Sequence, residues 1–426
     1  MRNIAIIGGG PAGLFAAWCA AWTLRNRGTK GSVTLLERNT RCGRKLLVTG
    51  SGQCNLTRDD EAQAMLGGYG EHGRFLTHAL HALDPGRTMT LFGQLGLPLV
   101  IREDKKVFPA SLQASDVLRT LIQACLAQEV VFSPDSRVIS MECEKDRYLL
   151  TTEHGSTCIA DAVVIATGGT HYPKTGSTGD GYRLAASLGH TIVAPKPALC
   201  PLKVLDMDIG RCSGITVDPV ALSDDRRKVS TGALLITRDG ISGPAVLAHS
   251  RYLASQDRVH ICWLPRPGGR MSTVQEVERQ LAEACSRHGA TKLSNLVHDL
   301  GLPINLVALL LAEAEVDGDR KAAETGKKTL LRVASMLADC TVEVSPVAKE
   351  HLAKATAGGV SLKEVDPRSM GSRLCTQVFF AGEVLDIDGD TGGYNLQAAW
   401  STGAFAGISA AGGDPFTITR QLGTLG

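Results

Sequence analysis

The sequence predicts an α/β fold: a parallel-sheet nucleotide domain interrupted by a β-rich, barrel-like insertion and a helical one. Three observations carry that reading. The chain opens with an apolar strand, a glycine-rich turn, an apolar helix and a second apolar strand. From about Pro195 it changes to short β-rich runs separated by turn residues, and from about Ala357 the glycine-rich α/β character returns. A length of 426 residues leaves room for two or three domains.

Taken in order, Asn3 to Ile7 reads as a buried strand, Gly8 to Gly13 as a turn, and Pro11 to about Arg27 as a helix. Leu14, Phe15, Trp18, Ala21 and Trp22 make that helix almost wholly apolar on one face, and Gly28 and Gly31 end it. Ser32 to Glu37 is the next strand, which completes a right-handed βαβ unit. Residues 38 to 58 form a long polar, glycine-rich loop, and Phe75 to Leu126 mixes helices and short strands. A strand pair is expected around Val130–Ile139 and Tyr148–Thr152. Ala162 to Thr167 is another buried strand, stopped by Gly168 and Gly169.

The runs LCPLKVLD, GITVDPVAL, GALLIT and VHICWL then suggest a small antiparallel sheet or barrel. Pro265, Pro267, Gly268 and Gly269 read as a linker. Thr273 and Glu276 have capping-box spacing, and Val274, Val277, Leu281 and Cys285 keep to one helical stripe that Gly289 closes. More helix is expected at 304–315 and 327–338. The expected division is therefore a nucleotide domain at 1–194 and 357–426, a β-rich substrate-side domain at 195–264 and 339–356, and a helical domain at 265–338.

Composition narrows the function. Lys and Arg number 45 against 43 Asp and Glu, a net charge of +2, which gives no field to hold nucleic acid or an anionic membrane. Aromatic residues make up 4%, which argues against base-stacking platforms. The 12 cysteines include no CxxC pair, so zinc and dithiol readings have no spacing to rest on, and unpaired cysteines suit a reducing compartment. The apolar stretch Ile4 to Trp22 after Arg2 is broken by glycines and a proline, so it reads as strand, turn and helix rather than a signal peptide. No run reaches the ~18 apolar residues of a membrane span. A cytoplasmic enzyme acting on a small molecule is expected, with the oligomeric state open.

The first motif is Gly8-Gly9-Gly10-Pro11-Ala12-Gly13. Gly8 allows the tight turn, Gly10 lets a pyrophosphate approach the backbone, and Gly13 lets helix and strand pack closely. The helix N-terminus, with Pro11 and Ala12, offers free N–H groups and partial positive charge. Glu37 ends the second strand, where a carboxylate accepts hydrogen bonds from both ribose hydroxyls and repels a 2′-phosphate. This much fits NAD or FAD.

A second glycine-to-helix junction decides for FAD. Phe379-Phe380-Ala381-Gly382-Glu383 reads as a strand ending in Gly-Glu, followed by Asp386, Asp388 and Gly389, then Gly392-Gly393-Tyr394-Asn395 and an apolar helix. FAD is long enough to meet both motifs. Glu383 can bond the ribityl chain, and the helix N-terminus at 393–395 can stabilise charge at flavin N1 and O2. A third element, Ala166-Thr167-Gly168-Gly169, is small enough to pass close to a cofactor, although a strand-ending Gly-Gly is commonplace.

With these motifs the chain resembles the aminoacetone-oxidase-like family of FAD-binding proteins, within the glutathione-reductase flavoprotein superfamily. The resemblance covers nearly the whole chain. It rests on GGGPAGL at 8–14, GRKLLVTGSGQCNLT at 43–57, ATGGTHYPKTGSTGDGY at 166–182, GHTIVAPKPALCPL at 189–202, DGISGPAVL at 239–247, TAGGV at 356–360 and GEVLDIDGDTGGYNLQAAW at 382–400. It implies an FAD domain interrupted by a β-rich and a helical domain, and bile-acid ene-reductases are among the members given a role. It also implies that Gly50, Gly52, Asn55 and Thr57 approach the flavin, that Lys45 lies near it, and that Thr356, Gly358, Gly359 and Val360 lie near the ring; Arg38 and Arg44 are further expected cofactor-binding residues. Two positions depart from the family: Gln53 stands where Arg is usual before Cys54-Asn55, and Thr237 is followed by Arg238 where His is usual. No role is carried over from that arginine or histidine.

Read without the resemblance, Lys45 is better placed as a solvated surface lysine. Cys54 has no neighbouring cysteine for disulfide exchange; Lys45 and His171, the latter in Gly-Thr-His-Tyr-Pro, are weak catalytic candidates, His171 as an acid or base. Three functions remain in competition. One is an NAD(P)H-dependent reductase passing hydride through flavin N5 to an enone-type substrate, the second an amine oxidase using oxygen, the third a non-catalytic redox sensor. Gly176-Ser-Thr-Gly179-Asp-Gly181 lacks the spacing of a second fingerprint, so a nicotinamide would bind transiently beside the flavin.

Overall fold

A computed structural model describes residues 1–346 and 353–422. The chain divides into two compact units, one of Met1–Lys196 with Ala355–Gly426, the other of Pro197–Lys354. Positions 347–352 of the β-rich segment and 423–426 of the nucleotide domain lie outside the described residues.

The first unit is built on a five-stranded parallel sheet. Its strands run in the order Val378–Phe380, Ala162–Ile165, Arg2–Ile7, Gly31–Leu36 and Val131–Ser133. Ile4 to Ile7 pair with Ala162 to Ile165 on one side and with Val33 to Leu36 on the other. These strands are apolar on both faces because both are covered: helices Pro11–Asn26 and Tyr394–Ala410 pack against the sheet, and so do the strands Arg147–Thr152 and Thr157–Ala160 of a separate antiparallel sheet. The helix Pro11–Asn26 packs along Tyr394–Ala410, and both are buried almost all round. Their contact needs the absence of side chains: a Cβ on Gly403 would stand 2.6 Å from the Ala12 carbonyl oxygen, and one on Gly407 2.2 Å from that of Ala16. The sheet thus brings the start of the chain and a segment near its end to one edge, where both glycine-rich turns sit.

One expected element divides. The run 130–139 is not a single strand: Val131–Ser133 joins the parallel sheet beside Thr34–Leu36, whereas Val138–Glu144 begins a separate antiparallel sheet with Arg147–Thr152 and Thr157–Ala160. Between them Pro134 has no N–H to give a ladder, and Asp135 takes a left-handed φ of 52°.

The second unit contains a closed six-stranded antiparallel barrel, in the order Leu202–Val204, Gly240–Ser242, Val229–Thr237, Thr216–Asp224, Asp257–Cys262 and Cys340–Pro346. The first of these strands pairs with the last, Leu202 opposite Pro346 and Val204 opposite Val344. Helices Val274–Arg287, Leu293–His298, Ile304–Glu313 and Lys327–Ala338 share one apolar core with the barrel. The Thr273 and Glu276 capping box forms, each side chain accepting from the other's backbone N–H. Among the described residues no helix is long and apolar enough to cross a membrane.

Candidate cofactor site

The fingerprint glycines divide by what surrounds them. Gly8 has φ +106°, and a Cβ there would meet the Ala166 carbonyl oxygen at 2.5 Å. A Cβ on Gly13 would meet the Gly8 carbonyl oxygen at 1.8 Å. Gly10 is different, since nothing lies within 4 Å of a Cβ built on it. It is also the N-cap of Pro11–Asn26, a helix whose first turn no side chain caps. The result is an open cradle in which the N–H groups of Ala12 and Gly13 have no partner among the described residues, the electrostatic complement of a phosphate.

Glu37 is buried and held by the protein. Its Oε2 accepts the Gly9 N–H at 2.7 Å, and its Oε1 accepts the Asn39 N–H at 2.8 Å and the Asn39 amide at 2.6 Å. A carboxylate has about four acceptor positions, so one on Oε2 stays open. The fingerprint backbone and Asn39 thus already orient the carboxylate that is expected to meet the ribose. Arg44 caps this corner by donating to Asn39 Oδ1 at 2.9 Å. Arg38 turns instead to buried Asp180 at 3.0 Å. Arg137 reaches the same carboxylate through Nε and Nη2, each at 3.0 Å, and Arg183 also pairs with it. Burial alone would raise the Asp180 pKa, but the bonds from Arg137 and Arg183 outweigh it and hold it below the usual aspartate range.

Ala166 closes against Gly8, and the Thr167 hydroxyl is buried without a hydrogen-bond partner among the described residues. Gly168 follows in the left-handed region at φ 73°. Gly382 abuts the start of the first helix, since a Cβ there would stand 2.7 Å from Ala12 Cβ. Beside it Glu383 forms an ion pair with Lys45 and accepts the Thr356 N–H at 2.7 Å. The Thr356 hydroxyl accepts the N–H groups of Thr170 at 3.1 Å and His171 at 3.2 Å, and lies 3.0 Å from His171 Nδ1. Four distant segments thus meet in a chain Lys45–Glu383–Thr356–His171. The reading of Lys45 as a solvated lysine is corrected, because its ammonium is paired and its side chain is 21% exposed. Burial lowers the His171 pKa; Glu383 works against this and Lys45 with it. The net effect favours the neutral imidazole.

The second glycine turn is held from below. Gly393 caps Tyr394–Ala410 with φ +103°, and a Cβ there would meet the Thr57 carbonyl oxygen at 2.6 Å. With its amide oriented to satisfy its neighbours, Asn55 accepts the Gly393 N–H at 3.1 Å and donates to the Thr57 carbonyl at 2.9 Å. Thr57 is fully buried and donates to Gln397 Oε1 at 2.6 Å. Asn395 bonds the Gly389 N–H and carbonyl, each at 2.9 Å, and the Tyr394 ring carries the Arg58 guanidinium 5.5 Å from its centroid. The side chains of Asn55, Thr57 and Asn395 are therefore spent on shaping this turn, a role that motif spacing did not reveal. Asp388 is buried, and a Cβ on Gly392 would stand 3.2 Å from Arg58 Nη1. Gly52 ends a short helical loop, Leu46–Gly52, whose Leu47 and Val48 are exposed. Gln53, at one departure from the family pattern, accepts from Arg102 at 2.8 Å, and that guanidinium lies 3.9 Å from the Phe108 ring centroid. A guanidinium thus stands beside position 53 although none is encoded there.

The model of the HI0933-like protein Rossmann domain matches residues 2–409. The chain belongs to this family. A 3-dehydro-bile acid delta(4,6)-reductase from Clostridium scindens is 31% identical over 420 residues, covering 96% of this chain and 99% of the relative. Two proteins named ribosomal RNA dihydrouridine synthase are also similar. The one from Haemophilus influenzae is 29% identical, covering 95% of this chain and 97% of its own length. The one from Escherichia coli is 28% identical, covering 93% and 95%. As a member of this family the chain is an FAD-dependent oxidoreductase. The family that matches is the HI0933-like one, not specifically the aminoacetone-oxidase-like group named from the motifs. The open Gly10, the uncapped helix and the orphaned Thr167 hydroxyl fit that cofactor's diphosphate and ribityl groups.

Proposed function

We propose that this protein is an NAD(P)H-dependent reductase of a carbon–carbon double bond conjugated to a carbonyl, in a small organic substrate. The observation that carries the reading is the near full-length likeness to a delta(4,6)-reductase. The chemistry extends to the other relatives, because a dihydrouridine differs from uridine by hydrogen added across a double bond that is also conjugated to a carbonyl. When bound, FAD supplies a hydride from its reduced ring. The chain's own residues bind and orient. The N–H groups of Ala12 and Gly13 hold the diphosphate, Glu37 the adenosine ribose, and Thr167 and Glu383 face the middle of the cofactor. The uncapped end of Tyr394–Ala410 favours negative charge beside the ring. A nicotinamide binds transiently, since the chain carries one dinucleotide fingerprint.

The test is anaerobic stopped-flow absorbance of the FAD-loaded protein. NADH or NADPH should bleach the flavin, and 2-cyclohexenone should restore its colour with cyclohexanone as product. Bleaching by a primary amine and not by a nicotinamide would overturn the reading in favour of an amine oxidase. Reoxidation by uridine-containing RNA and by no small enone would overturn the small-molecule substrate.

A further inference from the structure

We propose that Thr356 is a positioning residue that locks His171 in its neutral, Nε2-protonated form, making the imidazole a hydrogen-bond donor to the carbonyl oxygen of the substrate. The role toward substrate rests on the reductase reading; the tautomer rests on geometry alone.

A hydroxyl has two lone pairs and one proton. At Thr356 both lone pairs are engaged, by the Thr170 N–H at 3.1 Å and the His171 N–H at 3.2 Å. The remaining proton can go only to a further acceptor, and His171 Nδ1 stands 3.0 Å away. A proton on Nδ1 would face the hydroxyl hydrogen head-on, so Nδ1 is the bare nitrogen and Nε2 carries the ring proton. The Thr170 hydroxyl, 3.4 Å from the same nitrogen, can donate in the same sense. For Nε2 there is no hydrogen-bond partner among the described residues.

The arrangement is fixed from behind. Glu383 holds the Thr356 backbone N–H at 2.7 Å, and Lys45 holds Glu383. Position 169 has to be glycine, because a Cβ there would stand 2.2 Å from the Thr356 hydroxyl oxygen. The next residue, Tyr172, is in the left-handed region at φ 75°, a strained conformation for a bulky residue that the surroundings must impose. Gly382, the neighbour of Glu383, adjoins the start of the first helix, which brings the Glu383 end of this chain of bonds toward the cofactor cradle.

The chemistry uses a hydrogen-bond donor aimed at the carbonyl oxygen, where negative charge develops. Hydride added to the carbon β to the carbonyl breaks the carbon–carbon π bond, and its electron pair moves through the α carbon onto the carbonyl oxygen. The resulting enolate is stabilised by the Nε2–H without full proton transfer. Water then gives a proton to the α carbon and is left as hydroxide, which bulk solvent neutralises; the carbonyl re-forms, and the substrate has gained one hydride, at the expense of the reduced flavin that is thereby oxidised, and one proton from water.

Two readouts on FAD-loaded protein test this. The first is the nitrogen-15 chemical shifts of the histidine ring, with the His171 signals identified by their loss in His171→Phe. The second is the rate at which 2-cyclohexenone reoxidises the reduced flavin. Wild type and Thr356→Ser should show Nε2–H. Thr356→Val should shift the ring toward Nδ1–H and slow reoxidation by about tenfold or more. His171→Phe should slow it by on the order of 10²-fold, the usual cost of losing one oxyanion donor. An Nδ1–H ring in the wild type overturns the proposal even if Thr356→Val fails to fold, and so does a Thr356→Val enzyme with unchanged tautomer and rate. If the wild type reduces no enone, the reductase reading falls with the donor role, while the ring shifts still decide what Thr356 does.

Discussion

Lys45 donates to the Glu383 carboxylate across 338 positions of sequence, tying the loop after the second strand to the Gly-Glu turn near the chain's end. The pair faces His171 with opposite charges: Glu383 raises the ring pKa and Lys45 lowers it. Lys45→Met should therefore raise the His171 pKa, and Glu383→Gln should lower it. Ring proton shifts followed through a pH titration measure both. Changes of the same sign in the two variants would mean that His171 answers to a rearranged loop rather than to these charges.

Gly10→Val should fold and lose its flavin. The position has φ −79° and open space around a Cβ, so the side chain costs the empty fold little and fills the place of the diphosphate. Thermal unfolding of the apo forms should coincide, whereas the variant should recover no bound FAD on reconstitution. Full flavin absorbance in the variant would put the diphosphate elsewhere. The flavin released from the wild type should be FAD rather than FMN, by mass spectrometry.

Gly393→Ala should behave in the opposite way. Its φ of +103° and the Thr57 backbone 2.6 Å from a Cβ make any side chain strained. A loss of about 1–3 kcal/mol in stability is expected before any effect on the cofactor. Denaturant unfolding of the apo variant measures it. A variant as stable as wild type would show that the 392–395 turn can shift away from Thr57.

Asp180→Asn should destabilise the protein near neutral pH by about 1–3 kcal/mol, less than a fully buried pair because the partner arginines are partly exposed. The folded Asp180 pKa is depressed, so its contribution is present above the unfolded aspartate pKa of about 3.9. That contribution is lost as pH falls through the folded value. Melting temperatures of the two proteins should differ most near pH 7 and converge on acidification. A constant gap down to strongly acid pH would sink this account.

The first βαβ unit was legible because strand, turn and helix are contiguous and each carries its own period. The antiparallel runs after 200 were legible one by one, but their closure into a barrel depends on Leu202 meeting Pro346, a pairing that no local pattern encodes. The division at 134 had a local signal, Ser133-Pro134-Asp135-Ser136, masked by the apolar residues on either side. In the site, the cradle at Gly10 follows from spacing, whereas the commitments of Lys45, Asn55 and Thr57 come from segments hundreds of residues away. A lone Thr before Ala-Gly-Gly at 356–359 carries no sign that its hydroxyl will meet His171.

The pairing of the barrel's first and last strands has an evolutionary consequence. A segment that leaves and returns on hydrogen-bonded neighbours asks its host for two chain ends only about a strand spacing apart, ~5 Å. A host loop of ordinary length can supply that, so the whole of Pro197–Lys354 can be gained, exchanged or lost as one cassette without re-registering the parallel sheet. Closure also leaves the cassette's barrel no bare edge to recruit strands from other chains.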